Sequence, residues 1–323
     1  MKRFLNWSVY LIVRLFICAI QALRLETCAQ IAGALAFLAN DVFRLRGKVV
    51  QANLRQALPD WTDQQRRQAA RAMWRHLFLM VCEIAHAPRK IHDTNWNDYL
   101  RIGDKRRLVK YLLEPRSSVL ISGHFGNFEI ASFTAGLLGI PTYAIARTLD
   151  NPYINDFIHQ FRSKHGQYIL PKDGSAGQVE QVLEDGGVIA LLGDQSAGSK
   201  GCWIEFLGRP ASYHKAVALF TLSNEAPLLV CYAKRLDQPL HFEVGLQAVA
   251  DPRLGGAELK GVKSLVQWYN DALEEMILQT PEQYWWVHRR WKGEPPAKRS
   301  RKKTPAHDSA PAETLPTERK SAA

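Results

Sequence analysis

The sequence predicts an α/β fold: a mixed, largely parallel sheet flanked by helices, with an N-terminal membrane-associated helix or helices in front of it. Three observations predict it. From residue 117 onward, short apolar runs rich in β-branched residues alternate with helix-length segments, the rhythm of a sheet built with crossovers. Two apolar stretches fill residues 1–45. Charged and polar residues fall where predicted strands end, at His124, Arg147 and Asp194, the rim on which open α/β sheets carry their chemistry.

The first 45 residues read as a membrane-seeking region. Lys2 and Arg3 precede a mostly apolar run from Trp7 to Leu23, about the shortest length that spans a bilayer. No A-x-A type cleavage site is evident at the end of the run, and Arg14 interrupts it, so it does not read as a signal peptide. Arg14, Cys18 and Gln21 fall near one helical face, leaving the other faces free for lipid. A second stretch, Cys28 to Phe43, ends in Asp41, Arg44, Arg46 and Lys48. The cationic flanks suit a cytoplasmic face. A soluble helical hairpin buried in the core is the alternative.

Residues 48–115 are helical in pattern, with Asp60 to Gln65 offering capping-type residues before Arg66–Glu83. His76 and His86 read there as ordinary helix-face residues. The alternating region then runs strand 118–122, helix 127–138, strand 142–146, helix 151–164, strand 168–170, helix 176–184 and strand 188–192. A Gly-rich loop over 196–210 surrounds a short strand at 203–206. A buried helix at 215–223, strands at 228–234 and 242–246, and an amphipathic helix at 262–280 stopped by Pro281 complete the pattern. Tyr284 to Lys292 interleaves aromatics with cations and reads as an interfacial anchor or as a basic rim for a phosphate. Residues 294–323 are Pro, Ala, Ser and charge, a composition expected to be disordered. The division is therefore 1–45, 46–293 and 294–323.

Composition narrows the partners. The chain has 323 residues, 46% of them hydrophobic, enough for one large domain with appendages. A net charge of +11 calls for an anionic partner: nucleic acid, an anionic membrane surface or an acidic carrier protein. Five scattered cysteines without a C-x-x-C pair suggest reduced thiols and a body facing the cytosol. No G-x-S-x-G, Walker A or H-E-x-x-H sequence occurs.

The segment Gly123-His124-Phe125-Gly126-Asn127-Phe128-Glu129 draws the chemistry together. His124 is placed to act as a general base, with Glu129 holding its imidazole in the right tautomer. Helical positions five apart point about 140° away from each other. The pair therefore needs His124 in the turn and Glu129 in the first turns of the helix. By spacing alone, a strand-capping histidine and a glutamate favoured by the helix dipole fit as well. Arg147 and Arg162 are candidates for binding anions, each with a structural ion pair as the alternative, and Asp194 for orienting such an anion or capping a loop.

An ordered set of motifs resembles the bacterial late lipid A acyltransferase family, the lauroyl/myristoyl acyltransferases. His124 to Glu129 matches its H-x4-[D/E] motif. Arg147, Asn151-Pro152, Arg162 and Gly166 resemble its next segment, and Gly187 through Asp194-Gln195 its Asp-Gln turn. Phe206 to Ala211, which holds Arg209, resembles its F-x-G-x-P-A loop, and Pro281 to Lys292 its C-terminal signature. The resemblance covers residues 5–293. It implies a glycerol-phosphate-acyltransferase-like fold on the cytoplasmic face of the inner membrane. It also implies transfer of a fatty acyl chain from acyl carrier protein or CoA to a hydroxyl of a glycolipid, a lipid A precursor foremost. His124 and Glu129 would then be catalytic, with Arg147, Arg162, Asp194, Gln195 and Arg209 toward substrate. The acyl thioester is a co-substrate; no cofactor, metal or nucleic acid is implied. An acyltransferase acting on a lysophospholipid and a non-catalytic basic adaptor are the competing readings.

Overall fold

The computed structural model describes residues 1–172 and 174–296. The chain begins with helices α1 (Lys2–Ala22) and α2 (Leu25–Phe37), a π-helical turn at Leu38–Val42, then α3 (Gly47–Ala57) and α4 (Asp63–Lys90). It continues through β1 (Leu100–Ile102), α5 (Lys105–Leu112), β2 (Ser118–Ser122), α6 (Phe128–Leu137), β3 (Thr142–Ala146), α7 (Pro152–Ser163) and β4 (Gln167–Pro171). Next come α8 (Ala176–Glu184), β5 (Val188–Leu192), β6 (Cys202–Phe206), β7 (Arg209–Tyr213), α9 (Ala216–Ser223), β8 (Leu228–Arg235), β9 (Phe242–Ala250) and α10 (Val262–Gln279). The expected disorder of 294–323 lies, beyond residue 296, outside the described residues.

Seven strands form one sheet in the order β1-β9-β8-β2-β5-β3-β4. Every neighbouring pair is parallel except β8 and β9, which are antiparallel. The fold is thus mixed and largely parallel, as the alternating pattern predicts. Two strands escape the sequence reading. The three-residue β1 is too short to show a period. The expected loop after residue 206 is instead a hairpin, β6 paired with β7. Its turn residues Leu207 and Gly208 both have positive φ, 49° and 73°, the twist that suits a two-residue hairpin.

Each strand sends alternate side chains to opposite faces. Val119, Ile121, Leu228 and Val230 enter a core shared with α3, α4, α8, α9 and α10. Leu229 and Ala233 pack on the other face, against α5 and α6 respectively. On that second face one row across three strands holds two small residues. Leu120 pairs with Ala190, and Ala190 with Ala144. Two adjacent alanines where core strands carry branched residues leave space beneath α6.

The N-terminal helices lie against α4 and α7. Cys28, Ala32 and Ala36 of α2 are buried, which lets α2 run close to α4. Helix α1 is long and apolar enough to cross a membrane, but one edge of it is polar and committed to protein. Arg3 Nε donates to the Tyr153 hydroxyl at 3.1 Å. Asn151 Nδ2 donates to the Asn6 carbonyl at 2.8 Å, and the Arg14 guanidinium lies 4.8 Å from the centre of the Phe157 ring. Further along, Gln21 Nε2 donates to the Ala85 carbonyl at 2.7 Å. The opposite edge exposes Phe4, Leu5, Ile12, Leu15 and Phe16.

The segment Tyr284–Lys292 is not an interfacial anchor. Tyr284, Trp286 and Arg290 are buried, and Trp286 Nε1 donates to the Pro281 carbonyl at 2.6 Å. After the 3₁₀ turn at Pro281–Gln283 the chain turns back into the main core, so its aromatic rings serve packing. Trp286→Ala is therefore expected to cost about 3–5 kcal/mol, the range for emptying a fully buried aromatic site. Leu254→Ala, at a side chain 71% exposed, should change stability by less than about 0.5 kcal/mol. Denaturant unfolding of both variants checks this; equal losses would contradict the burial described.

Candidate active site

The turn between β2 and α6 is held through the backbone groups of His124, Gly126 and Asn127. The His124 N–H donates to Asp194 Oδ2 at 2.9 Å, and the His124 carbonyl accepts the Trp285 N–H at 3.1 Å. The Gly126 N–H donates to the Gln283 carbonyl at 2.9 Å, and the Asn127 N–H to the Ala233 carbonyl at 2.8 Å. Asn127 Oδ1 accepts the Ile130 N–H at 3.3 Å and caps α6. Two glycines make this possible. A Cβ on Gly123 would stand 2.9 Å from Leu273 Cδ2 and 3.3 Å from Asp194 Cγ. Gly126 has φ +59°, and a Cβ there would fall 2.1 Å from the Ala233 carbonyl oxygen.

His124 Nδ1 lies 2.6 Å from Asp194 Oδ1. An ionised carboxylate only accepts, so Nδ1 carries the proton and Nε2 is left with its lone pair. Gln195 Nε2, at 3.3 Å, is oriented to donate to that lone pair. Burial works to lower the His124 pKa, but the charge and hydrogen bond of Asp194, helped by the charge of Glu129, outweigh it and the net shift is upward. Burial likewise works to raise the Asp194 pKa. The charge and hydrogen bonds of His124, with a smaller contribution from the Arg290 charge, reverse this and hold the carboxyl below its usual value. The arrangement is an oriented base whose Nε2 keeps a lone pair, contacted by the Gln195 amide.

Glu129 does not hold the His124 ring. Asn127 is the N-cap, so α6 begins at Phe128, and it is the Phe128 ring that meets the imidazole, 5.2 Å between centres. Glu129, one position on, turns toward α7. There it takes both Nε (3.3 Å) and Nη2 (2.5 Å) of Arg162. Its role toward His124 is through charge. The hydrogen-bonding partner is Asp194, which follows β5, the immediate neighbour of β2. Sequence reading places Asp194 on the same rim but does not show that these strands are adjacent.

A cavity of about 330 Å³ opens beside this pair. His124, Glu129, Arg162 and Gln195 line its polar part, and the rest of the wall is mainly apolar, including Leu120, Leu138, Ala144 and Leu191. Its volume is at the lower end for small-molecule sites. Arg147 and Arg209 are not part of it. Arg147 is exposed and pairs with Asp150 at 3.3 Å, and Arg209 is exposed at the start of β7.

Sequence reading does not single out two further contributors. The Trp285 ring stands 4.8 Å from that of His124 and, with Phe128, frames it. Arg290 is buried, donates to the Ser212 carbonyl at 3.2 Å, and lies 3.7 Å from the Tyr213 ring centre. Their signal was the aromatic–cation spacing of 284–292, which composition alone assigns to a surface.

Asp194→Asn removes the charge that raises the His124 pKa, so that pKa should fall. In nuclear magnetic resonance titrations the His124 ring should titrate above its ordinary value, near 6.5, in the parent chain and lower in the variant. An unchanged midpoint would rule out the pairing as the cause.

Residues 2–293 match the family of bacterial lipid A biosynthesis acyltransferases. The lipid A biosynthesis lauroyltransferase of Escherichia coli (strain K12) is 23% identical over 262 residues, covering 80% of this chain and 83% of that protein. The lipid A biosynthesis palmitoleoyltransferase of the same organism is 22% identical over 264 residues, 80% of this chain and 82% of its own. The crystal structure of the 1-acyl-sn-glycerophosphate acyltransferase PlsC from Thermotoga maritima covers 78% of this chain and 98% of its own. It does so at 11% identity and a TM-score of 0.38, too distant to carry more than the likeness itself. The family match takes in every element that builds the His124–Asp194 pair, the cavity and the apolar N-terminal helices, and the chain belongs to the bacterial lipid A biosynthesis acyltransferases.

Proposed function

We propose that the enzyme is membrane-bound, works at the cytoplasmic face of the inner membrane, and transfers a fatty acyl chain from a carrier-protein or CoA thioester to a hydroxyl of a lipid A precursor. One observation carries this reading: an oriented imidazole whose Nε2 lone pair meets only the Gln195 amide stands at the polar end of an apolar cavity. The cavity takes the acyl chain and brings its thioester carbonyl to His124. The acceptor hydroxyl displaces Gln195 from Nε2 and gives up its proton there as its oxygen attacks the carbonyl carbon. The tetrahedral intermediate then expels the thiolate, breaking the C–S bond, and the thiolate takes the proton from the imidazolium. Asp194 holds the ring and offsets its transient charge. Gln195 and Arg162 are the donors available to the oxyanion. The Glu129–Arg162 pair fixes the guanidinium at the cavity wall. The exposed apolar edge of α1, with the surplus of positive charge, suits attachment to an anionic membrane surface.

Purified protein supplied with acyl carrier protein or CoA thioesters and lipid A precursor or lysophospholipid acceptors tests the reading. His124→Ala should lower turnover by roughly 10²- to 10⁴-fold, the range for losing a positioned base; Glu129→Ala should lower it too. Undiminished transfer in His124→Ala, or product from the lysophospholipid alone, would count against the proposal. Ala144→Phe should shift the preferred donor toward shorter chains, with discrimination of roughly fourfold per methylene excluded, from about 0.8 kcal/mol each. Competition between donors of different length reads that shift.

A further inference from the structure

A second set of buried polar groups lies behind the catalytic turn, on the side away from the cavity, and the reaction above does not use it. His76 and Glu83 sit two helical turns apart on α4 and so share a face. Both are buried, Glu83 completely. Arg235, the last residue of β8, lies between them. Its Nε and Nη2 donate to the two Glu83 oxygens at 2.6 and 2.5 Å. Glu83 also accepts Asn127 Nδ2 at 3.2 Å and the Leu240 N–H at 3.1 Å. Arg235 Nη1 contacts His76 Nδ1.

A guanidinium only donates, so His76 Nδ1 accepts and the ring proton sits on Nε2. That nitrogen lies 3.1 Å from the Gly126 carbonyl, to which it therefore donates. Burial, and then the charge of Arg235, keep the His76 pKa well below its ordinary value, so the neutral tautomer persists. The turn is held by two elements: Gly126 and Asn127 lean on Ala233 of β8 and are tied to α4 by one imidazole and one carboxylate. Replacing a buried ion pair by apolar residues is often neutral or stabilising. Stability alone is therefore a weak reason for this one.

We propose that His76, Glu83 and Arg235 are positioning residues, whose bonds to the Gly126 carbonyl and the Asn127 amide keep His124 aligned between Asp194 and the cavity. This rests on His124 being the base.

The test uses the full chain with a lauroyl-acyl carrier protein donor and a lipid A precursor acceptor. His76→Leu and His76→Phe remove the donor while filling the site. They should lower kcat on the order of 10- to 100-fold, the effect of a small misplacement of reacting groups, with the donor KM within about twofold. His76→Gln restores a donor near the Nε2 position and should recover most of the lost kcat. Phe keeps the shape of the ring, so one of the two apolar variants is expected to unfold as cooperatively as the parent and to carry the comparison. Parent-like kcat in a folded apolar variant, or equal losses in His76→Gln and His76→Leu, would overturn the inference. His124→Ala is run beside them: activity there would instead overturn the assignment of the base.

Discussion

One carboxylate accepts two hydrogen bonds from one residue, and much of the structure is arranged around that requirement. Asp194 must reach both the backbone N–H and Nδ1 of His124, so β2 and β5 must be parallel neighbours ending level with each other. A side chain at Gly123 would crowd Leu273 and press on Asp194. Burying a carboxylate is costly unless it is paired and hydrogen-bonded, and here the imidazole supplies both, with Arg290 contributing charge from behind. The same burial removes water, which strengthens the bond that orients the ring.

Much of this was legible in the sequence, and the exceptions share a cause. The helix expected at 127–138 is found at Phe128–Leu137, and that expected at 151–164 at Pro152–Ser163. Capping and proline signals fix such ends locally. His124, Asp194 and Arg162 stand out because charge at a strand end or on a helix is visible in the chain itself, whereas Gln195 enters only through the family resemblance. The pairing among them is not visible there. A pattern such as H-x4-E invites a local partner, yet His124 joins a residue 70 positions away while Glu129 joins one 33 positions away. Both pairings depend on strand order, which no local periodicity encodes. His76 reads as an ordinary helix-face residue for the same reason: its partners come from β8 and from the turn that carries His124.

The C-terminal segment shows how composition misleads. Trp and Arg in alternation suit a bilayer interface, and they suit a buried cation–π cluster equally well. Arg290 against Tyr213 is the second case. The difference lies in the acceptors available to the cation within the fold, here the Ser212 carbonyl. The row Leu120–Ala190–Ala144 is a quieter example. Each alanine alone is an ordinary strand residue, and only the register turns them into one side of a cavity.

The polar edge of α1 has a mechanical consequence. Arg3, Asn6 and Arg14 are bound to α7, and Gln21 to α4, so the helix cannot roll about its own axis without breaking contacts at both ends. It behaves as a keel. The same keel sets the heading of α7, and α7 carries Arg162 at the cavity wall. If the apolar side of α1 enters lipid as proposed, the angle of the cavity to the lipid surface is already built into the fold.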